Sequence, residues 1–283
     1  MILPSPRVRR RISSGIMTGA VAVLCFAAVL PLLFIFGDLV AKGASALDLN
    51  FFVKNPVPIG ETGGGVAHAI VGTGIIVGLA GLVGLPIGIG AGVFLAEYGS
   101  GRLGWLVRFV ADVMNGTPSI VVGIFAWTWL VRPAGRFTAL AGGFALAMLM
   151  IPMVARTTEE MVRLVPHSLR EAALALGYPR WRTSLGVVVR TALTGIVTGS
   201  LVAVARVAGE TAPLLFTALG NLNFSTNVLQ PMQTLSLQIY VYATGPFDEW
   251  HRLAWASALV LMGLVLVLSL VARRVTRQRY GAR

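Results

Sequence analysis

Arg170-Glu171-Ala172-Ala173-Leu174-Ala175-Leu176-Gly177 stands between two long apolar runs and has the composition of a short helix made to be touched. Ser168, followed three residues later by Glu171, fits a capping box, in which each residue satisfies an orphan backbone donor at the helix start. Gly177 supplies the left-handed conformation that closes a helix, and Pro179 keeps it from resuming at once, which leaves about two turns. Ala172, Ala173 and Ala175 leave the backbone nearly bare, so another surface can approach closely. A helix this short is marginal alone, because nucleation costs more than a few hydrogen bonds return. Its order must come from packing, which makes it a docking element; an Ala-rich interfacial helix with no partner is the alternative these residues leave open.

The runs on either side set the class. Hydrophobic residues make up 56% of the 283, charged residues 12%, and the mean hydropathy is +0.80; a soluble domain carries roughly 25% charged residues. A hydrocarbon core of about 30 Å needs about 20 apolar residues per helix. Six candidate spans meet that need, near 15–36, 68–95, 107–130, 138–155, 187–217 and 253–272. The expected fold is all-α: a polytopic integral membrane protein of six transmembrane helices.

A net charge of +12 invites a nucleic-acid partner, but the placement of the charges argues for lipid instead. With the amino terminus in the cytoplasm, 17 of the 23 Lys and Arg residues fall on inner segments, among them Arg7, Arg9, Arg11, Arg273, Arg277, Arg279 and Arg283. Five fall outside (Lys42, Lys54, Arg132, Arg136 and Arg252), and Arg206 alone lies within a span. That asymmetry follows the positive-inside rule with both termini cytoplasmic in an inner membrane. Anionic headgroups suffice as partners for the basic tails, and no nucleic acid is required. Ile16 to Phe36 holds 21 positions without a charge, longer than the 7 to 15 of a secretory signal core, so the first span reads as uncleaved. Cys25 within it reads as a small buried apolar residue.

The expected organisation is a basic cytoplasmic tail (1–14), a first span (15–36), a periplasmic loop (37–67), a transmembrane core (68–272) with a cytoplasmic coupling segment (156–186), and a second basic tail (273–283). In the loop, Asp38, Asp48 and Glu61 read as solvating charges. In the second span Gly74 and Gly78, and Gly84, Gly88 and Gly92, recur every four residues on one helix face, which suits close packing against another helix in lipid. The third span is interrupted by Asn115-Gly116-Thr117-Pro118-Ser119. Pro118 breaks the backbone ladder, and backbone groups freed at membrane depth must face protein or a water-filled cavity. Asn115, Thr117 and Ser119 would suit a solute path, and a Pro-kinked helix whose hydroxyls bond their own backbone is the alternative. Asp112 is placed to pair with Arg108 one turn away, and Arg156, Glu159, Glu160 and Arg163 to form exposed helical pairs or rim contacts.

The fifth span contains Arg206-Val207-Ala208-Gly209-Glu210-Thr211-Ala212-Pro213-Leu214-Leu215. Two opposite charges one helical turn apart can neutralise each other, and either one alone at mid-membrane costs about 2.5–3.5 kcal/mol. Arginine offers a planar, permanently charged fork that matches a tetrahedral oxyanion. A neighbouring carboxylate would repel a fully ionised anion yet accept a hydrogen bond from a protonated oxygen, which hydrogen phosphate has and sulfate lacks. Arg206, Glu210 and Thr211 are therefore path residues beside Asn115, Thr117 and Ser119; a structural ion pair between helices is the alternative.

Three stretches carry a family resemblance. Glu-Ala-Ala, three residues, Gly at 171–177 resembles the signature loop of bacterial ABC-importer permeases, although Val187-Val188-Val189-Arg190 lacks the proline that the family places there. Pro118-Ser119-Ile120-Val121-Val122-Gly123 and Ala208-Gly209-Glu210-Thr211-Ala212-Pro213-Leu214-Leu215, with Pro231-Met232-Gln233-Thr234-Leu235, resemble the PstA-type permeases of phosphate importers, so the likeness runs from about 68 to 245. It implies a MetI-like permease fold and translocation of inorganic phosphate. It implies that Ser168, Arg170, Glu171, Ala172, Ala173, Leu174 and Gly177 couple to an ATPase subunit dimer. A homologous second permease subunit and a periplasmic phosphate-binding protein are its further implied partners.

Other classes have little to stand on. Lys42 and Lys54 follow no glycine-rich phosphate loop, so this chain would not hydrolyse ATP by that route. His68, His167 and His251 flank separate spans and read as wetted surface, with no catalytic cluster, metal site or cofactor expected. A permease for sulfate or molybdate, and a passive channel or assembly subunit, are the rival readings.

Overall fold

In the computed structural model, which describes residues 6–58 and 63–280, the chain is helices joined by turns, and one isolated bridge, Leu219 to Met232, is its only β pairing among the described residues. Hydrocarbon offers backbone groups no water to bond, so long apolar runs settle as helices. α1 (Pro6–Ala44) and α2 (Leu49–Val53) lead into α3 (Ala67–Glu97). α4 (Arg102–Gly116) and α5 (Ser119–Ala126) are followed by a π-helical turn (Trp127–Val131) and α6 (Arg132–Ala134). α7 (Ala139–Arg163) leads to the short α8 (His167–Ala175). α9 (Arg180–Thr183), a second π-helical turn (Ser184–Val188) and α10 (Val189–Ala208) form one run, and α11 (Ala212–Thr217), α12 (Leu235–Ala243) and α13 (Asp248–Tyr280) complete the chain.

Among the described residues, five helices are long and apolar enough to cross a membrane, and α4 through α6, bent by 104° at Thr117-Pro118, make up to six. Several boundaries differ from the sequence expectation. The third span begins at Arg102 rather than 107, and the fifth runs from Arg180 to Ala208 instead of 187–217. Pro179 is the N-cap of α9, so it starts the next span at once instead of delaying it. α1 and α13 carry helix into both basic tails. Glu61 and Arg283 fall outside the described residues, as do the side chains of Arg7, Arg9, Arg11, Arg277 and Arg279.

The tightest packing joins α3 to α7, and small residues permit it. A Cβ at Gly84 would lie 3.2 Å from Met150, at Gly88 2.7 Å from Val154, and at Gly92 2.5 Å from Thr158, so this glycine face meets α7 backbone to backbone. Gly74 and Gly78 have the same spacing but meet nothing within 4 Å among the described residues. Spacing places residues on a face; only a neighbour decides whether the face is covered. At the start of α7, Thr138 caps the helix by accepting from Ala141 N–H, and the loop before α12 lies over it, with Ala139 N–H donating to Gln230 O at 2.9 Å.

The apolar window of α1 is unburied within the chain, so Cys25 is exposed rather than buried. Only the end of α1 packs, with Gly43 against the Trp255 carbonyl of α13. Beyond it Asp48 does more than solvate: it caps α2 by accepting from Phe51 N–H at 2.7 Å, and that bond holds its carboxyl below the usual range.

Charge pairing at the basic end also departs from expectation. Arg108 bonds Glu159 at 2.7 Å instead of Asp112, and Asp112 takes the Arg156 fork at 2.9 and 2.6 Å. Glu159, with its side chain 3% exposed, also receives Arg156 at 3.1 Å and Arg163 at 2.7 Å. It is therefore a buried hub for three arginines, not one member of an exposed helical pair. His68 is buried as well, at 3% exposure, and is no wetted surface residue.

Candidate translocation cavity and docking helix

Two interruptions in the helices lie side by side. α4 ends at Gly116, Thr117 returns its hydroxyl to Val113 O at 2.8 Å, and Pro118 opens α5 in a new direction. The second break follows Ala208, where Gly209 caps α10 and α11 restarts at Ala212. What holds the breaks together is Gly123: a Cβ there would sit 2.6 Å from Pro213 Cα, so only glycine lets α5 reach α11 this closely.

Between the breaks is a cavity of about 240 Å³, lined by Asn115, Thr117, Ser119, Arg206 and Glu210. This is several times the roughly 30 Å³ share of one liquid water. Leu149 and Met153, in the middle of α7, supply apolar wall. Five of the six expected path residues thus meet in one place from two distant stretches. Thr211, the sixth, is not in the lining; it is the N-cap of α11, and its carbonyl accepts from Leu214 and Leu215 N–H.

Arg206 and Glu210 do not neutralise each other. No ion pair within 4.0 Å joins either to any described residue. The reason is local: the helix ends at Ala208, so Glu210 is no longer one α-helical turn above Arg206. Ser236 of α12 fixes the Glu210 backbone by donating its hydroxyl to the carbonyl at 3.0 Å. Asn115 and Arg206 are exposed and Glu210 is half-buried, so the polar lining opens to one side of the bundle. An arginine fork with free donors beside a free carboxylate can hold a tetrahedral anion and sense whether it carries a proton.

At the basic end α8 closes as expected and opens otherwise. Gly177 has φ +82°, Tyr178 N–H reaches Ala173 O at 3.2 Å and Gly177 N–H reaches Leu174 O at 2.9 Å, the bond pair of a Schellman cap. No capping box forms. The helix starts at His167 with Pro166 as its N-cap and no side-chain cap bond, which puts Ser168 two residues too far inside to cap. Glu171, Ala172, Leu174 and Ala175 are exposed, Ala173 is buried, and Leu176 is 79% exposed.

Arg170 points the other way. Its guanidinium bonds Glu97, the last residue of α3, at 2.9 and 3.1 Å, and donates to the Val162 and Val165 carbonyls at the end of α7. Glu97 and Ser184, whose hydroxyl donates to the second Glu97 oxygen at 2.8 Å, are missed by a reading of sequence neighbours. The available signal was Glu97 itself, a lone acid closing a glycine-rich span.

A helical bundle with an open polar cavity at mid-helix and a short exposed helix at one end suits a subunit of a membrane transporter. The family described as "Binding-protein-dependent transport system inner membrane component" matches residues 88–279, and the chain belongs to it and to its PstA permeases. It is 46% identical over 245 residues to "Phosphate transport system permease protein PstA" of Yersinia pestis, covering 86% of this chain and 82% of that one. It is 36% identical over 282 residues to "Phosphate transport system permease protein PstA 1" of Mycobacterium tuberculosis, covering 96% and 91%. In fold it resembles an inward-facing MetNI methionine ABC transporter chain (TM-score 0.64, 18% identity, 75% of this chain and 95% of that one). It also resembles a chain of a bacterial ABC transporter for the acidic polysaccharide alginate (TM-score 0.68, 14% identity, 96% and 99%).

Proposed function

We propose that this chain is one permease subunit of an ATP-driven importer of inorganic phosphate in the bacterial cytoplasmic membrane, with both termini cytoplasmic. The observation that carries the reading is the meeting of Asn115, Thr117, Ser119, Arg206 and Glu210 around one cavity, in a chain whose relatives are phosphate permeases. Arg206 holds the anion through its fork, and the Asn115 amide and Ser119 hydroxyl of the α4–α5 break add donors around it. Glu210 accepts the proton-bearing oxygen of hydrogen phosphate and repels an anion without one, which disfavours sulfate.

The lining is open on one side because a homologous second permease subunit closes the path there. The exposed face of α8, with Glu171, Ala172, Leu174 and Ala175, docks into one member of an ATPase subunit dimer. A periplasmic phosphate-binding protein delivers solute at the opposite end. Closure of the ATPase dimer moves α8 as a rigid body and rocks the spans between inward-open and outward-open states.

Uptake of labelled phosphate into vesicles carrying the whole complex tests this, with and without internal ATP and with sulfate as competitor. The expected result is ATP-dependent uptake that sulfate does not inhibit and that deletion of residues 169–177 abolishes. ATP-independent uptake, or uptake surviving that deletion with ATPase subunits present, would contradict it.

A further inference from the structure

We propose that Glu97 is the positioning residue that makes α3 the transmission rod between the docking helix and the cavity. The inference rests on the reading of α8 as the ATPase-docking helix. One carboxylate, 10% exposed, is divided between two moving parts: Oε1 takes the Arg170 fork of α8 at 2.9 Å, and Oε2 takes the Ser184 hydroxyl of the run that rises into α10 at 2.8 Å. Arg170, 15% exposed, extends the clamp to the Val162 carbonyl of α7 and to the Val165 carbonyl just beyond it. Three elements leaving the basic end are thus locked to α8 around a single buried acid.

The rod's other end is equally well seated. Thr73, near the start of α3, accepts from Leu235 N–H at 2.8 Å, and a Cβ on Gly72 would collide with the Gln233 carbonyl at 1.9 Å. α3 therefore bears on the loop that begins α12, and Ser236, the next residue along, holds the Glu210 carbonyl. Between the ends, the Gly84, Gly88 and Gly92 face keeps α3 against α7 with no slack. Packed interiors transmit displacement because they barely compress. A push on α8 reaches Glu210 through Arg170, Glu97, α3, Leu235 and Ser236. α8 has no comparably buried charge at its outer face to carry the load by another route.

The test uses the complete complex in vesicles, reading phosphate moved per ATP hydrolysed, ATPase co-purification and thermal stability. Glu97→Gln keeps the side-chain shape but removes the charge. It should leave co-purification and hydrolysis unchanged and lower thermal stability, because Arg170 loses its counter-charge, while the ratio, which counts only working complexes, falls about tenfold, within the roughly 5- to 150-fold range of typical couplings. Arg170→Ala should lower the ratio similarly, and the double variant no further, because both break one unit. A ratio unchanged in both single variants would overturn the proposal, as would a fall in uptake that only tracks lost ATPase subunits. Failure of the docking reading looks different: Glu171→Arg would still co-purify with ATPase and transport, whatever Glu97→Gln does.

Discussion

The cavity and the basic end treat charge in opposite ways. Around the cavity, Arg206 and Glu210 are close in sequence, yet neither has an ionic partner among the described residues. At the basic end, Arg108 and Glu159 stand 51 residues apart and bond at 2.7 Å, and Arg156, Arg163 and Arg170 are likewise closed onto acids. Burial explains the second case, because a carboxylate withdrawn from water, as Glu159 and Glu97 are, must find a cation. The first invites function: charges held apart by a broken helix keep their donors and acceptors for a solute. Paired charge closes the basic end, and unpaired charge leaves donors and acceptors open for the solute path proposed above.

The sharpest way to break this contrast is at the hub. Glu159→Ala removes the one buried carboxylate on which three partly exposed arginines converge and should cost about 1.5–3 kcal/mol of stability, measured by unfolding in detergent; a change under about 1 kcal/mol would mean the pairs do not hold that end together. A smaller effect is expected from Glu210→Gln, which should leave folding intact while sulfate becomes a competitor for phosphate uptake. Retained discrimination would return Glu210 to a structural role. Between glycines of equal spacing, Gly92→Ala forces a Cβ to 2.5 Å from Thr158 and Ala155 O, while Gly74→Ala meets open space. The first should destabilise by about 1–3 kcal/mol and the second by less than about 0.5 kcal/mol. The least effect belongs to Lys42→Ala, which breaks an exposed pair with Asp38 at 3.6 Å. Stability should move by less than about 1 kcal/mol, and a larger change would show that burial is not what separates strong pairs from weak ones here.

What sequence reading could and could not reach follows the same division. The membrane class, the apolar spans and the helix break at Pro118 were legible, since hydropathy and proline act locally, whereas the break at Gly209 was not, because 187–217 reads as one apolar run. So was the αL closure at Gly177. Pairing was not legible: Arg108–Asp112 and Arg206–Glu210 have the right spacing on paper, but spacing reports neighbours on one helix only. Glu159 and Glu97 find their partners across helices, which only the packed bundle brings near. The Ser168–Glu171 capping box failed for another local reason, because Pro166 set the helix start two residues early. Gly74 and Gly78 matched the periodicity of Gly84, Gly88 and Gly92, yet nothing in periodicity says which part of α3 lies under α7.

One substitution bears on the account most directly. Arg206→Gln removes the free fork and its charge and keeps a polar amide on a shorter stem, and it should lower ATP-driven phosphate uptake roughly 10- to 100-fold, as befits a lost charged hydrogen bond of about 1.5–3 kcal/mol. Membrane abundance and ATPase co-purification should stay normal. Unimpaired uptake by that variant would mean that the unpaired arginine is not where the anion passes.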